Sequence, residues 1–284
     1  MAVFNWKSTL RPLYRWQKRR RKDLLGKLQH HFLNRRVHVF GTGAPKTGTT
    51  TLANLLGRHL RARHEPGWRR YAKVILRSGT SYVDDPVSAH IFEHLDRHFF
   101  LEANISNLNH FFLPIISECF PDTKLILTVR AIVPWLDSMW AEQMAHPNPR
   151  LWDKIDRLRF DYPAATEAAL AEAGVHWPLA GYLRYWANCI DRTLDLIPTE
   201  NLLILRTESL DMAGARLARF LNIPEIELAQ APVRSRVRPD KVVLSNELER
   251  RYLESQIQEH CGQTIERLIR THPHLQPESL PDLR

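Results

Sequence analysis

The chain has no uncharged apolar run of the roughly 18 to 20 residues that a membrane span needs, and no apolar stretch with the flanks of a secretory signal. A membrane-spanning or exported protein is not expected. Cysteine is scarce: Cys119, Cys189 and Cys261 stand alone with no CxxC pair, which excludes a disulfide framework or a thiolate zinc site and fits a reducing, cytoplasmic setting. Nowhere does a cluster of His, Cys and carboxylates have metal-ligand spacing, so no metal is expected. Internal repeats and low-complexity stretches are also missing, which excludes solenoids and fibrous chains. What remains is 284 residues, 44% apolar and 25% charged, ordinary usage for a globular chain large enough to bury its own core.

The net charge of +9 is unevenly spread. Residues 1–36 hold eleven Lys or Arg against a single acid, Asp23, whereas the rest of the chain is nearly neutral. Trp6, Leu10, Leu13 and Tyr14, then Leu24, Leu25, Leu28 and Phe32, recur at helical spacing within this arm. A basic helix with one apolar side suits an anionic membrane surface, and a solvated extension packed on the domain is the alternative. The expected organisation is a basic amphipathic arm over 1–36 and one domain over 37–284.

Five short apolar runs read as buried strands: 37–40, 74–76, 99–101, 125–129 and 202–205. Helical patterns fill the spaces between them, at 49–60, 86–97, 110–119, 134–145, 164–173, 178–196, 212–221 and 245–270. The alternation predicts an α/β fold, a doubly wound, mainly parallel five-stranded sheet with helices on both faces and its ligand site at the carboxyl ends of the strands. Residues 146–177 contain no strand and are too long for a simple connection, as a cap over the site would be.

The first strand runs into Gly41-Thr-Gly-Ala-Pro-Lys-Thr-Gly-Thr-Thr-Thr51, which then opens a helix. Small residues let backbone amides turn around an anion, and the helix start adds its dipole, so the segment reads as a phosphate cradle. A triphosphate-binding loop, GxxxxGK[ST], carries its lysine just after the last glycine. Here Thr49 occupies that place and the lysine is Lys46, which disfavours a nucleotide kinase.

The run Pro45-Lys-Thr-Gly-Thr-Thr50 resembles the 5′-phosphosulfate loop of sulfotransferases that use 3′-phosphoadenosine 5′-phosphosulfate (PAPS). A second segment, Leu125-Ile-Leu-Thr-Val-Arg130 followed by Pro134 and Ser138, looks like that family's 3′-phosphate motif. Asn201–Leu210 and Ala218–Pro224 resemble its late strand and following helix. The resemblance spans about residues 37–270 and implies the P-loop-like sulfotransferase fold, PAPS as donor and an acceptor hydroxyl, or less readily an amine, on a small molecule, glycan or lipid. It implies donor contacts from Lys46, Thr47, Gly48, Thr49, Thr50, Thr51, Arg130 and Ser138. A basic closing loop follows from Arg234 and Arg236, with Arg238 and Lys241 as alternatives, although this segment lacks the family's glycine.

For the general base, Glu102 in Phe99-Phe-Leu-Glu-Ala-Asn104 resembles the glutamate of the heparan-type branch, with Ala103 where that branch has lysine. The histidine branch offers His90, His94, His98 and His110 instead, and Lys46 is placed for the leaving oxygen. Asp84-Asp85-Pro86 reads as a helix cap, not a carboxylate dyad. Trp135, Trp140, Trp152 and Trp177 are candidates for lining an acceptor cleft or for the core. The competing functions are a P-loop-type kinase and a membrane- or nucleic-acid-binding module on an inactive nucleotide fold, with specific nucleic-acid recognition not expected.

Overall fold

The computed structural model describes residues 34–145, 150–224 and 243–275. Five strands, β1 (Val39–Thr42), β2 (Ala62–His64), β3 (Ala103–Ile105), β4 (Lys124–Val129) and β5 (Leu202–Arg206), form one sheet in the order β2-β3-β1-β4-β5. Every pairing is parallel. Side chains along a strand alternate between faces, and this sheet is covered on both. Val39, Ile126, Leu203 and Leu205 pack under α1 (Thr49–Leu56) and α9 (Gly214–Leu221). Phe40, Leu125, Leu127 and Ile204 face the larger core. That core includes residues of α2 (Trp68–Ser78), α3 (Pro86–Phe99), α4 (Leu113–Cys119), α5 (Ile132–Ala145), α8 (Leu179–Leu196) and α10 (Arg250–Thr271). The expected fold class is the one observed.

Two expected strands are not strands. The run at 74–76 lies inside α2, where Tyr71, Ala72, Val74 and Ile75 are buried while Arg69, Arg70, Lys73 and Arg77 are exposed. That is a helical period, so a short apolar run was the wrong signal. The run at 99–101 is the end of α3, which closes at Phe100 in the left-handed region with φ 46°, and β3 begins only at Ala103. The missing strand is β2, an edge strand of Ala-Arg-His with no apolar run to announce it. Asp85 does cap α3, accepting from the Ser88 amide at 2.9 Å with Pro86 at the first helical position.

Residues 150–160 and 168–172 of the expected insertion form α6 (Arg150–Phe160) and α7 (Ala168–Glu172). The tail of the expected arm belongs to the domain. Arg35 pairs with Asp96 at 2.8 Å, and the Arg36 amide donates to Glu102 at 3.1 Å.

Candidate active site

From β1 the chain crosses to β2 on one side of the sheet, whereas β4 and β5 lie on the other, so the carboxyl ends of β1 and β4 flank a crevice. The loop at 43–48 sits there. Gly43 has φ 144°, Lys46 φ 69° and Gly48 φ 94°. A Cβ on Gly43 would stand 2.4 Å from the Thr128 carbonyl, so the close approach itself requires glycine.

Four successive carbonyls of this loop are held by side chains. The Thr47 hydroxyl donates to Ala44 O at 2.7 Å, Trp135 Nε1 to Pro45 O at 2.7 Å, and Arg130 Nη1 to Lys46 O at 3.3 Å. Thr207 Oγ1 lies 2.6 Å from Thr47 O and 3.1 Å from Val129 O. In a planar trans peptide the amide points opposite to the carbonyl. Pro45 has no N–H and the Thr47 amide donates to Ala44 O at 3.3 Å, so tying these carbonyls leaves the amides of Lys46 and Gly48 to face the other way, where they join the first amides of α1, which have no acceptor in their own helix. This cradle fits a phosphate- or sulfate-bearing group.

Of the expected donor contacts, Lys46, Gly48, Thr49, Thr50 and Thr51 all lie along the loop and the α1 start. The side chain of Thr47 is a correction: it is buried and spent on Ala44 O and the Thr128 hydroxyl, 2.8 Å away, so it braces the loop. Lys46 Nζ reaches Glu142 of α5 at 3.2 Å. Arg130 leaves the end of β4 beside the loop, and burial lowers its pKa from the usual value, partly offset by Glu208 and Asp137. Ser138 is half-buried on α5. Its neighbour Asp137 accepts from the amide and the hydroxyl of Ser245, each at 3.0 Å, which fixes the chain just past residue 242 to the same helix. Arg234, Arg236, Arg238 and Lys241 lie outside the described residues.

Glu102 is at the wrong end of the sheet to be the base. It precedes β3, and its carboxylate accepts from the amides of Arg61 at 2.8 Å and Arg36 at 3.1 Å, both of which lead into strands. Burial pushes its pKa up, but these amides and the guanidiniums of Arg36 and Arg61 outweigh it and hold the carboxyl below the usual 4.5. The heparan-like spacing that suggested it took the strand to be 99–101, four residues before the observed β3. The histidines fare no better. His90 and His94 are exposed on α3, and His98 lies in its last turn, which leads toward the amino end of β3. His110 is enclosed, its Nε2 3.4 Å from the Tyr82 hydroxyl, and burial, then Arg159 and Arg192, lower its pKa to about 3.

Sequence reasoning passed over Glu65, which follows β2 at its carboxyl end. Its amide donates to Ile105 O at 2.8 Å, and its backbone takes the left-handed conformation, φ 48°. The adjacent His64 places Nε2 3.2 Å from Thr49 Oγ1 and 3.3 Å from Thr50 Oγ1, at the start of α1. Glu65 Oε1 is 3.9 Å from that nitrogen and accepts from Asn107 Nδ2 at 2.5 Å. Since His64 pairs with Ile105, Glu102 lies three residues behind this level, about 10 Å along the strand. The only local signal was His-Glu-Pro-Gly, an acid in a turn.

Trp135 and Trp140 are core residues, fully buried. Trp152 of α6 stacks on Trp68 with ring centres 5.1 Å apart, three residues beyond Glu65. Trp177 is half-buried with Arg157 over its ring.

The fold and loop together define a parallel α/β protein built around an anion-binding cradle at its switch point. The family is narrower than that: a profile described as "Sulfotransferase domain" matches residues 38–227, and the chain belongs to that family, an enzyme of sulfuryl transfer. Among solved structures it is similar to a sulfotransferase from Alicyclobacillus acidocaldarius, at 15% identity and TM-score 0.48, over 82% of this chain and 94% of that one. It is also similar to mouse sulfotransferase SULT7A1 complexed with PAP, at 17% identity and TM-score 0.44, over 84% and 89%. The sulfotransferase domain of the Synechococcus PCC 7002 olefin synthase follows at 14% identity and TM-score 0.42, over 78% and 86%. No curated protein matches the sequence.

Proposed function

We propose that this enzyme moves a sulfuryl group from PAPS to an acceptor hydroxyl by in-line displacement, with Glu65 as general base. The acceptor oxygen forms a bond to sulfur, the sulfur–oxygen bond to the 5′-phosphate breaks, and adenosine 3′,5′-bisphosphate leaves. Glu65 takes the acceptor's proton. Lys46 and the amides of the cradle offset negative charge on the leaving oxygen. Arg130 and Ser138 hold the 3′-phosphate, the first as a charged donor and the second through its hydroxyl. The observation that carries this reading is the loop whose four carbonyls are tied to side chains beside Arg130, which supports donation to an anionic group by the Lys46 and Gly48 amides and the start of α1, with Arg130 for a second anionic end.

The test is thermal stabilisation by adenosine 3′,5′-bisphosphate compared with ATP and Mg²⁺. A ligand that binds only the folded state stabilises it by about 2.7 kcal/mol at a hundredfold excess over Kd. The bisphosphate is expected to raise the Tm of the wild type, and Arg130→Ala to weaken its binding by roughly 2 to 4 kcal/mol. A shift with ATP and Mg²⁺ and none with the bisphosphate would overturn the donor assignment.

A further inference from the structure

Asn107, just past β3, touches both the proposed base and a buried arginine from α6. Its Nδ2 donates to Glu65 Oε1 at 2.5 Å, and its Oδ1 accepts from Arg159 Nη2 at 2.5 Å. Arg159 has only donors, so it can face only the oxygen end of the amide. That fixes the amide's orientation and leaves its NH₂ end no choice but to point at Glu65, where it favours the ionised carboxylate. The remaining oxygen, Oε2, has no hydrogen bond among the described residues.

Arg159 is itself immobilised. Asp156 accepts from Nη1 at 3.1 Å, and the rings of Phe111, Trp152 and Tyr185 lie 5.6 to 5.7 Å from its guanidinium carbon. Both charges are buried, so neither can swing to solvent without loss of its partner. The base is thus gripped from a helix that comes from a different part of the chain, the 146–177 segment.

We propose that Asn107 is a positioning residue for Glu65, set in its working orientation by Arg159, so that α6 holds one carboxylate oxygen and leaves the other for the acceptor's proton. The inference rests on Glu65 as the base. A side chain that only filled space would leave the carboxylate of Glu65 in the same hydrogen-bonded state when removed, whereas an amide that holds the carboxylate would not.

The experiment uses the full chain with ¹³C-labelled glutamate carboxyls, the Glu65 resonance being the one absent from Glu65→Gln. At neutral pH the Glu65 carboxyl resonance is expected to shift in Asn107→Ala, because the carboxylate loses its donor at Oε1. Asn107→Asp, which keeps a partner for Arg159 and almost the same shape but presents no amide donor, is expected to shift it as well. Sulfate release from PAPS with water as acceptor should fall about tenfold or more in both, with bisphosphate affinity within twofold of wild type. An unmoved resonance in a folded Asn107→Ala overturns the positioning role, and if that variant does not fold, an unmoved resonance in Asn107→Asp does so. Should Glu65→Gln stay inactive while both Asn107 variants turn over normally, the base stands and the positioning role falls. Wild-type turnover in Glu65→Gln removes the base and this proposal with it.

Discussion

Two glutamates lie at opposite ends of the same pair of strands, and under the proposed function Glu65 carries chemistry where Glu102 carries structure, a division that substitution tests. Glu65→Gln is expected to keep the Tm and bisphosphate affinity and to lose roughly 10²- to 10⁴-fold in turnover, the usual worth of a general base. Glu102→Gln is expected to keep the chemistry and lose about 1 to 3 kcal/mol of stability by urea denaturation, since a buried acceptor of two amides and a guanidinium loses its charge. The pH dependence has a definite sign. The folded Glu102 carboxyl lies below its ordinary value of 4.5, so its contribution is complete above that pH and disappears as the pH falls through the folded pKa. The urea midpoint should therefore drop more steeply with acid in the wild type than in Glu102→Gln. At this scale the sequence was clear where residues are contiguous, as in Pro45–Thr51 and in Arg130 at a strand end. The role proposed for Glu65 was illegible because its surroundings come from β2 lying next to β3, a neighbour more than forty residues away.

Among elements, those with a strong period or an explicit cap could be read: β4, β5, α8 and the Asp85-Pro86 start of α3. Elements defined by partners could not. β2 is a three-residue edge strand whose existence depends on β3, and the apolar run at 74–76 turned out to be one side of a helix whose charged residues all face out. The cradle shows the same dependence at higher stakes, because its shape is imposed by β4, α5 and the turn after β5. Thr207→Val keeps volume and removes the proton held between Thr47 O and Val129 O. Bisphosphate binding, measured by calorimetry, is expected to weaken about fivefold, one hydrogen bond's worth, with turnover lowered only through donor affinity.

The whole molecule is a nearly neutral domain with its positive charge gathered at the amino-terminal end, and Arg35 and Arg36 are where that charge enters the domain's own ion pairs. We propose that the residues before them meet an anionic surface. Removing residues 1–33 is expected to leave the Tm and bisphosphate affinity intact and to reduce retention on phosphatidylserine vesicles at low salt. Equal retention of both proteins would remove the membrane role, and an unfolded truncation would make the arm part of the core. No helix among the described residues is long and apolar enough to cross a bilayer. The carbonyl clamps on the cradle span 84, 90 and 160 positions of sequence. A chain emerging from the ribosome has no finished cradle until the residue at position 207 has been made and docked. Donor capture then belongs to the end of folding: saturating bisphosphate is expected to slow unfolding in stopped-flow measurements and to leave the refolding rate unchanged, so the nucleotide guards the finished enzyme without helping to make it.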